Sequence, residues 1–309
     1  MAGFRNLLVA CTLMVLALMA QPVRAESLYV KGEGGVPLAV TVTGPKDAPA
    51  ILFLHGIGLG AGSFKPQLES DLVKHFRMVV FDLRGHGQSG KPWEVSAYAD
   101  SSIWAGDVKR VIDATGIKRP VIVAWSYGTL VAADYLRHFG PDAISGLVLA
   151  SATGGLIVTP PSPTPPNPVI MAQLTRSREL RNIPTLSAQQ EAGAIVLPLL
   201  VHKAPLAGWL DDARILEGEV PAYAQAPLRA HPSANTDIVS RLQSLPILLT
   251  YGQFDGAMSD AAADAMRQAL PQTKVFRFDG AGHAMFAEKP KTFNRMLKEF
   301  VDQVWKETK

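Results

Sequence analysis

Ser126 ends the run Val121-Ile122-Val123-Ala124-Trp125 and is followed by Tyr127-Gly128. An apolar strand entering a serine, with a small residue two positions before and a glycine two after, is the sequence of a sharp strand-to-helix turn that lifts the hydroxyl above a sheet. A serine hydroxyl is a weak nucleophile at neutral pH, so it needs a base within hydrogen-bond reach. Of seven histidines, His283 has the fitting context, in Asp279-Gly280-Ala281-Gly282-His283 just past the last expected strand. The carboxylate that orients such a base is expected from the end of another strand, between the two in chain order, and Asp255 in Gly252-Gln253-Phe254-Asp255-Gly256 meets that requirement. Asp279 competes, but it lies only four residues before His283 on the same loop. Preformed donors to an oxyanion are expected from the backbone N–H groups of Ile57, in Leu54-His55-Gly56-Ile57-Gly58, and of Tyr127. Trp125, beside the nucleophile, is the expected wall of a substrate pocket, and His55 is expected to shape its loop rather than to move protons.

The elements that must hold these residues follow from periodicity. From Ala50 to Ala152, short apolar runs alternate with glycine-containing turns and amphipathic stretches. That pattern implies a mostly parallel sheet flanked by helices. Strands are predicted at Ala50–Leu54, Met78–Phe81, Val121–Trp125 and Gly146–Ala150, and helices near Ser63–Lys74, Ala99–Thr115 and Tyr127–Phe139. Ser27–Val30 and Pro37–Thr43 suit an antiparallel edge hairpin. The pattern stops after Ala152, where six prolines lie between Thr159 and Pro168. Helix-like pieces at Val169–Leu180 and Ala188–Val201 then make residues 153–234 an expected helical cap inserted in a core of residues 26–152 and 235–309. Pro246–Tyr251, Lys274–Phe278 and a closing helix over Pro290–Trp305 complete that core.

Composition narrows the chemistry. About half the residues are hydrophobic and under a fifth charged, as in a compact globular chain. Residues 1–25 have the form of a signal peptide: Arg5, an apolar run from Leu7 to Ala20 and Val23-Arg24-Ala25 before the expected cleavage. The run is too short to span a bilayer, so the mature chain is expected to be secreted or periplasmic, without a stable membrane span. Cleavage removes Arg5, Arg24 and the single cysteine, Cys11, lowering the formal net charge from +3 to +1. No basic patch for nucleic acid and no thiol chemistry remain. His202 and His231 lie near Asp211 and Asp212 in sequence but without metal-ligand spacing, and no phosphate loop or dinucleotide fingerprint occurs, so neither metal nor cofactor is expected.

Together, His55-Gly56, Asp82-Leu83-Arg84-Gly85-His86-Gly87-Gln88-Ser89, the Ser126 turn, Gly252-Gln253-Phe254-Asp255 and Gly280-Ala281-Gly282-His283 resemble the α/β-hydrolase superfamily over residues 27–305. The likeness is to its small capped members, which include esterases, lactonases and cofactor-free haloperoxidase-like enzymes. Ala124 stands where the general pattern has glycine. The resemblance implies that Asp82–Ser89 is a structural turn beside the site. Ser126 sets the chain apart from members with an aspartate nucleophile, which open epoxides or carbon–halogen bonds. The expected function is hydrolysis of a small apolar ester or lactone through an acyl-enzyme. Cleavage of a β-diketone carbon–carbon bond and perhydrolysis are alternatives on the same triad, and a non-catalytic ligand-binding scaffold is the alternative outside enzymes. The expected partner is a small-molecule substrate.

Overall fold

The computed structural model describes residues 25–160 and 167–307. The expected leader lies, but for Ala25, outside the described residues, as does most of the proline cluster. Eight strands form one sheet: β1 (Glu26–Lys31), β2 (Pro37–Thr43), β3 (Ala50–Leu54), β4 (Arg77–Phe81), β5 (Val121–Trp125), β6 (Gly146–Ala150), β7 (Ile247–Gly252) and β8 (Lys274–Phe278). Their order is β1-β2-β4-β3-β5-β6-β7-β8. β1 and β2 are the expected antiparallel hairpin, and β2 joins β4 antiparallel. All other pairings are parallel. This is the α/β-hydrolase fold. The strand order reverses at β3, which lies between β4 and β5, and the crevice above such a switch point is where ligands gather.

Every residue of β3, β5 and β6 is buried because helices cover both faces. Alternate residues serve opposite layers. Leu52, Leu54 and Ile122 pack with α1 (Ser101–Thr115) and α2 (Gly128–Phe139), whereas Ile51, Phe53 and Val123 pack with the closing helix α8 (Pro290–Glu307). In α1, Trp104, Val108, Val111 and Ile112 recur at helical spacing and form its buried stripe. Asp100 caps its first turn by accepting from the Ser102 N–H at 2.7 Å, and Gly116 ends it in the left-handed region at φ 69°. In α8, Phe293, Leu297, Phe300, Val301 and Val304 do the same work on the other face. Each such side chain contributes about 1.5–3 kcal/mol by leaving water.

The helix expected over Ser63–Lys74 is broken into three short pieces, Ala61–Phe64, Lys65–Leu68 and Asp71–Lys74. Ser70 explains the break: its hydroxyl donates to the Gln67 carbonyl at 2.7 Å and accepts from the Leu72 N–H at 3.2 Å, offering the backbone a non-helical alternative. Between β6 and β7 the chain passes through α3 (Pro168–Arg181), α4 (Leu186–Val196), α5 (Trp209–Gly218) and α6 (Ala222–Arg229). The longer helix expected to reach Val201 ends at Val196, and a tight turn at Leu197–Leu200 containing Pro198 follows. The inserted segment is tied to the core by the Trp209 indole N–H, which donates to the Ser63 carbonyl at 2.9 Å, and by the Tyr223 hydroxyl, which donates to the Lys91 carbonyl at 2.8 Å. A further helix, α7 (Asp260–Ala269), flanks the sheet with Ala262, Ala263 and Met266 buried, and a single turn at Met285–Glu288 precedes α8. Among the described residues, no helix is long and apolar enough to cross a membrane.

Candidate active site

Ser126 follows β5 directly and adopts φ 51°, a left-handed conformation that an L-residue with a side chain holds at a cost of about 1–2 kcal/mol. The surroundings impose it. The Ser126 N–H donates to the Ala150 carbonyl at 2.9 Å, and its own carbonyl accepts from the Thr129 N–H at 3.0 Å. Two residues on, α2 passes so close to β3 that a Cβ on Gly128 would lie 2.3 Å from the Leu54 carbonyl oxygen, so only glycine fits. On the other side Ala124 is fully buried in the core, which absorbs its methyl. The serine is therefore held out of the sheet by a turn its neighbours dictate.

His283 and Asp255 meet as expected. The His283 Nδ1–H donates to Asp255 Oδ1 at 2.8 Å, and the Asp255 side chain is fully buried. Asp255 Oδ1 also accepts from the Ala257 N–H at 2.9 Å, which fixes the carboxylate. Asp279 instead faces solvent and pairs with Arg277 at 3.3 Å. The loops that carry the pair touch at Gly252, where a Cβ would come within 2.2 Å of the Gly282 carbonyl oxygen. With Nδ1 committed, Nε2 is the nitrogen left to exchange a proton. Ser126 and His283 line the same cavity, though no direct hydrogen bond joins them. Such contacts often tighten only when substrate binds.

The His283 backbone is anchored by Trp125, which the sequence marked only as a pocket wall, and by Ser151, which no motif marks. The His283 carbonyl accepts from the Trp125 indole N–H at 3.0 Å and from the Ser151 hydroxyl at 2.8 Å. Ser151 is fully buried and, like Ser126, has a positive φ, of 60°. Glu288 then clamps the loop: one carboxylate oxygen accepts from the Gly282 N–H at 2.6 Å, and the other from the His202 and Lys203 N–H groups at 2.9 and 2.7 Å. It thus joins the His283 loop to the inserted segment. Replacing Glu288 by alanine is expected to lower kcat about tenfold, the scale on which a loosened supporting group acts, with little change in thermal midpoint. Steady-state kinetics beside a melting curve check this; an unchanged kcat would assign Glu288 to structure alone.

On the loop after β3, two buried imidazoles set the backbone. The His55 Nδ1–H donates to the Gly56 carbonyl at 2.8 Å while Nε2 accepts from the Leu83 N–H at 2.9 Å. The His86 Nδ1–H donates to the Arg84 carbonyl at 3.0 Å while Nε2 accepts from the Gly58 N–H at 3.1 Å. Both rings must be neutral to accept in this way. Burial lowers His55 to about 4, against its hydrogen bond to Gly56, and burial together with the neighbouring His55 lowers His86 to about 3. Arg84 adds a buried bidentate pair with Asp107, both bonds 2.7 Å, that fastens this turn to α1. The Ile57 and Tyr127 N–H groups donate to no other group among the described residues, so both are free for a ligand. Ile57 lines the cavity; the Tyr127 ring instead packs among Trp104 and His231 in the core.

The cavity, of about 200 Å³, is floored by Gly56, Ile57, Trp125 and Ser126 and covered by residues of α3 to α6. Trp125 is only 1% exposed, so it serves more as packing and anchor than as an open wall. The histidines and aspartates considered for metal binding go to separate partners: His231 to Asp134 at 2.7 Å, His202 to the Phe254 ring, Asp211 to Arg214 and Asp212 to Lys65.

The family model described as alpha/beta hydrolase fold matches residues 49–290. A bifunctional esterase/perhydrolase of Acinetobacter calcoaceticus is 26% identical over 285 residues, covering 88% of this chain and 99% of that protein. A pimeloyl-[acyl-carrier protein] methyl ester esterase of Yersinia pseudotuberculosis is 26% identical over 265 residues, covering 82% and 93%. Among solved structures, a protein assigned as an aryl esterase from Burkholderia cenocepacia superposes with a TM-score of 0.79 at 27% identity, covering 91% of this chain and 100% of that one.

Proposed function

The chain belongs to the α/β-hydrolase fold family, and on that premise we propose that it hydrolyses a small carboxylic ester or lactone through an acyl-enzyme on Ser126. The observation that carries this is the strained Ser126 turn opening into the cavity that also receives His283, itself held by Asp255. In this account Ser126 Oγ attacks the ester carbonyl and passes its proton to His283 Nε2. The tetrahedral oxyanion takes the Ile57 and Tyr127 N–H groups, each donor lowering the barrier by about 3–4 kcal/mol. The leaving alcohol collects the proton from His283, and water, deprotonated by the same imidazole, clears the acyl group. Asp255 holds the tautomer and stabilises the imidazolium without taking the proton. The esterase names of the relatives and the apolar side chains of the inserted helices favour a modest, partly apolar substrate.

The bifunctional relative favours a second reading on the same site, in which hydrogen peroxide replaces water and the acyl-enzyme yields a peracid. One experiment addresses both: hydrolysis of short-chain esters by the purified protein, repeated with peroxide and a peracid-specific oxidation assay. Ester turnover lost in Ser126→Ala is the expected result. A folded protein that turns over no ester would overturn the proposal.

A further inference from the structure

The side of the cavity built by the inserted helices is charged. Arg178 and Arg181 come from α3, Glu217 from α5 and Arg229 from α6, and all four line the space that holds Ser126. Arg181 and Glu217 form an ion pair whose side chains are 8% and 5% exposed. The pairing is built in: a Cβ on Gly193 of α4 would lie 2.1 Å from Glu217 Oε2, so glycine makes room for the carboxylate. That glutamate pairs with Arg181 and also attracts Arg229, one carboxylate among three arginines. Arg178 has no ion pair among the described residues, and Arg229 donates only to the neutral Gln225 amide, at 2.9 Å. Arg229 lines the cleft with its side chain partly exposed, and desolvation and Arg181, against the attraction of Glu217, lower it to about 10. Three arginines against one carboxylate leave this side of the cleft positive, which favours an anionic group on the ligand.

A second cavity, of about 390 Å³, meets the first at His283, Leu174, Val196 and Leu200. It contains His283 but not Ser126, and its own walls are mainly apolar, Ile170, Met171, Leu199 and Phe254, with Asn167 and Asp255 beside them. The two spaces differ in chemistry, and the reaction assigns them. The leaving oxygen must reach the proton on His283, whereas the acyl group stays bonded to Ser126. The alcohol therefore belongs in the apolar cavity and the acyl chain in the arginine-lined one.

We propose that the preferred substrate is a monoester of a dicarboxylic acid, its free carboxylate held by Arg178 and Arg229 and its alcohol apolar. The inference rests on the serine-ester reading above. The ester C–O bond breaks, water supplies the hydroxyl of the new carboxyl, and the products are a dicarboxylate and a small apolar alcohol.

The test compares kcat/KM of the full chain on monoethyl adipate with that on ethyl hexanoate, which matches it in acyl length and replaces the carboxylate by a methyl. A charge-assisted hydrogen bond changes affinity by roughly tenfold, so a ratio near ten in favour of the anionic ester is expected, falling in about 0.5 M salt. Arg178→Gln and Arg229→Gln are each expected to reduce the ratio severalfold, chiefly through KM. A wild-type ratio at or below one, or a ratio that neither variant lowers, overturns the proposal. If ethyl hexanoate is still cleaved in a Ser126-dependent way, the esterase reading survives that failure; a folded protein cleaving neither ester removes both.

Discussion

Alanine at His283 is expected to reduce kcat for a short-chain ester by about four orders of magnitude or more, with KM and thermal midpoint close to those of the parent chain. The size follows from the two steps proposed for the imidazole, which takes the proton from Ser126 and returns it to the leaving oxygen. Neither nearby imidazole can substitute, because His55 and His86 have both ring nitrogens committed to the backbone. Folding should survive, since His283 is fixed by its carbonyl, which accepts from Trp125 and Ser151 whatever the side chain. Asp255→Asn should fall in the same direction, because an amide oxygen or nitrogen at Oδ1 can present the wrong tautomer to the ring. Single-turnover and steady-state assays of both variants decide the matter. Activity within tenfold of wild type in His283→Ala would remove the imidazole from the mechanism.

The second large effect is on stability in acid. The unfolded chain protonates His55 and His86 near pH 6.5, but the folded protein keeps them neutral down to about 4 and 3. Between those limits the unfolded state binds more protons, so stability is complete above about pH 6.5 and falls as the pH falls. From pH 7 to pH 4.5 the two rings together are expected to cost on the order of 5 kcal/mol. The loss reaches function, because protonation of His86 removes the acceptor for the Gly58 N–H and so loosens the loop that presents the Ile57 amide. Urea unfolding at a series of pH values measures it. A double His55→Asn, His86→Asn variant should start less stable at pH 7 and lose less on acidification; an equal slope in the two proteins would place the acid sensitivity elsewhere.

How much of this was legible in the sequence depended on whether a residue acts through local pattern or through distant contact. The strands β3, β5 and β6 and the Ser126 turn sit within runs whose apolar residues and glycines obey local geometry, so their boundaries were readable to the residue. Asp255 could be preferred to Asp279 because chain order and loop length constrain which carboxylate reaches an imidazole on the next loop. Ser63–Lys74 misled because its apolar spacing is helical, and the side chain of Ser70 breaks the backbone pattern locally. The helices α5 and α6 went unmarked, since α6 holds Pro227 inside it and α5 follows a glycine without a capping side chain. Ser151 and Glu288 were beyond reach in their positioning roles, for their partners lie on other loops. The leucine, valine and proline content of the inserted segment pointed to an apolar pocket, whereas the folded helices turn Arg178, Arg181 and Arg229 into the cavity beside Ser126. Composition averages over faces, and only packing shows which face a ligand meets.

Labelling with a fluorophosphonate probe reads out whether Ser126 is the nucleophile, because the probe bonds covalently to an activated serine before any question of substrate choice arises. Stoichiometric labelling of the wild-type chain is expected, with the adduct on the peptide containing Ser126, and none in Ser126→Ala. A folded wild-type protein that fails to label, or a Ser126→Ala protein that labels as well as its parent, would contradict that assignment.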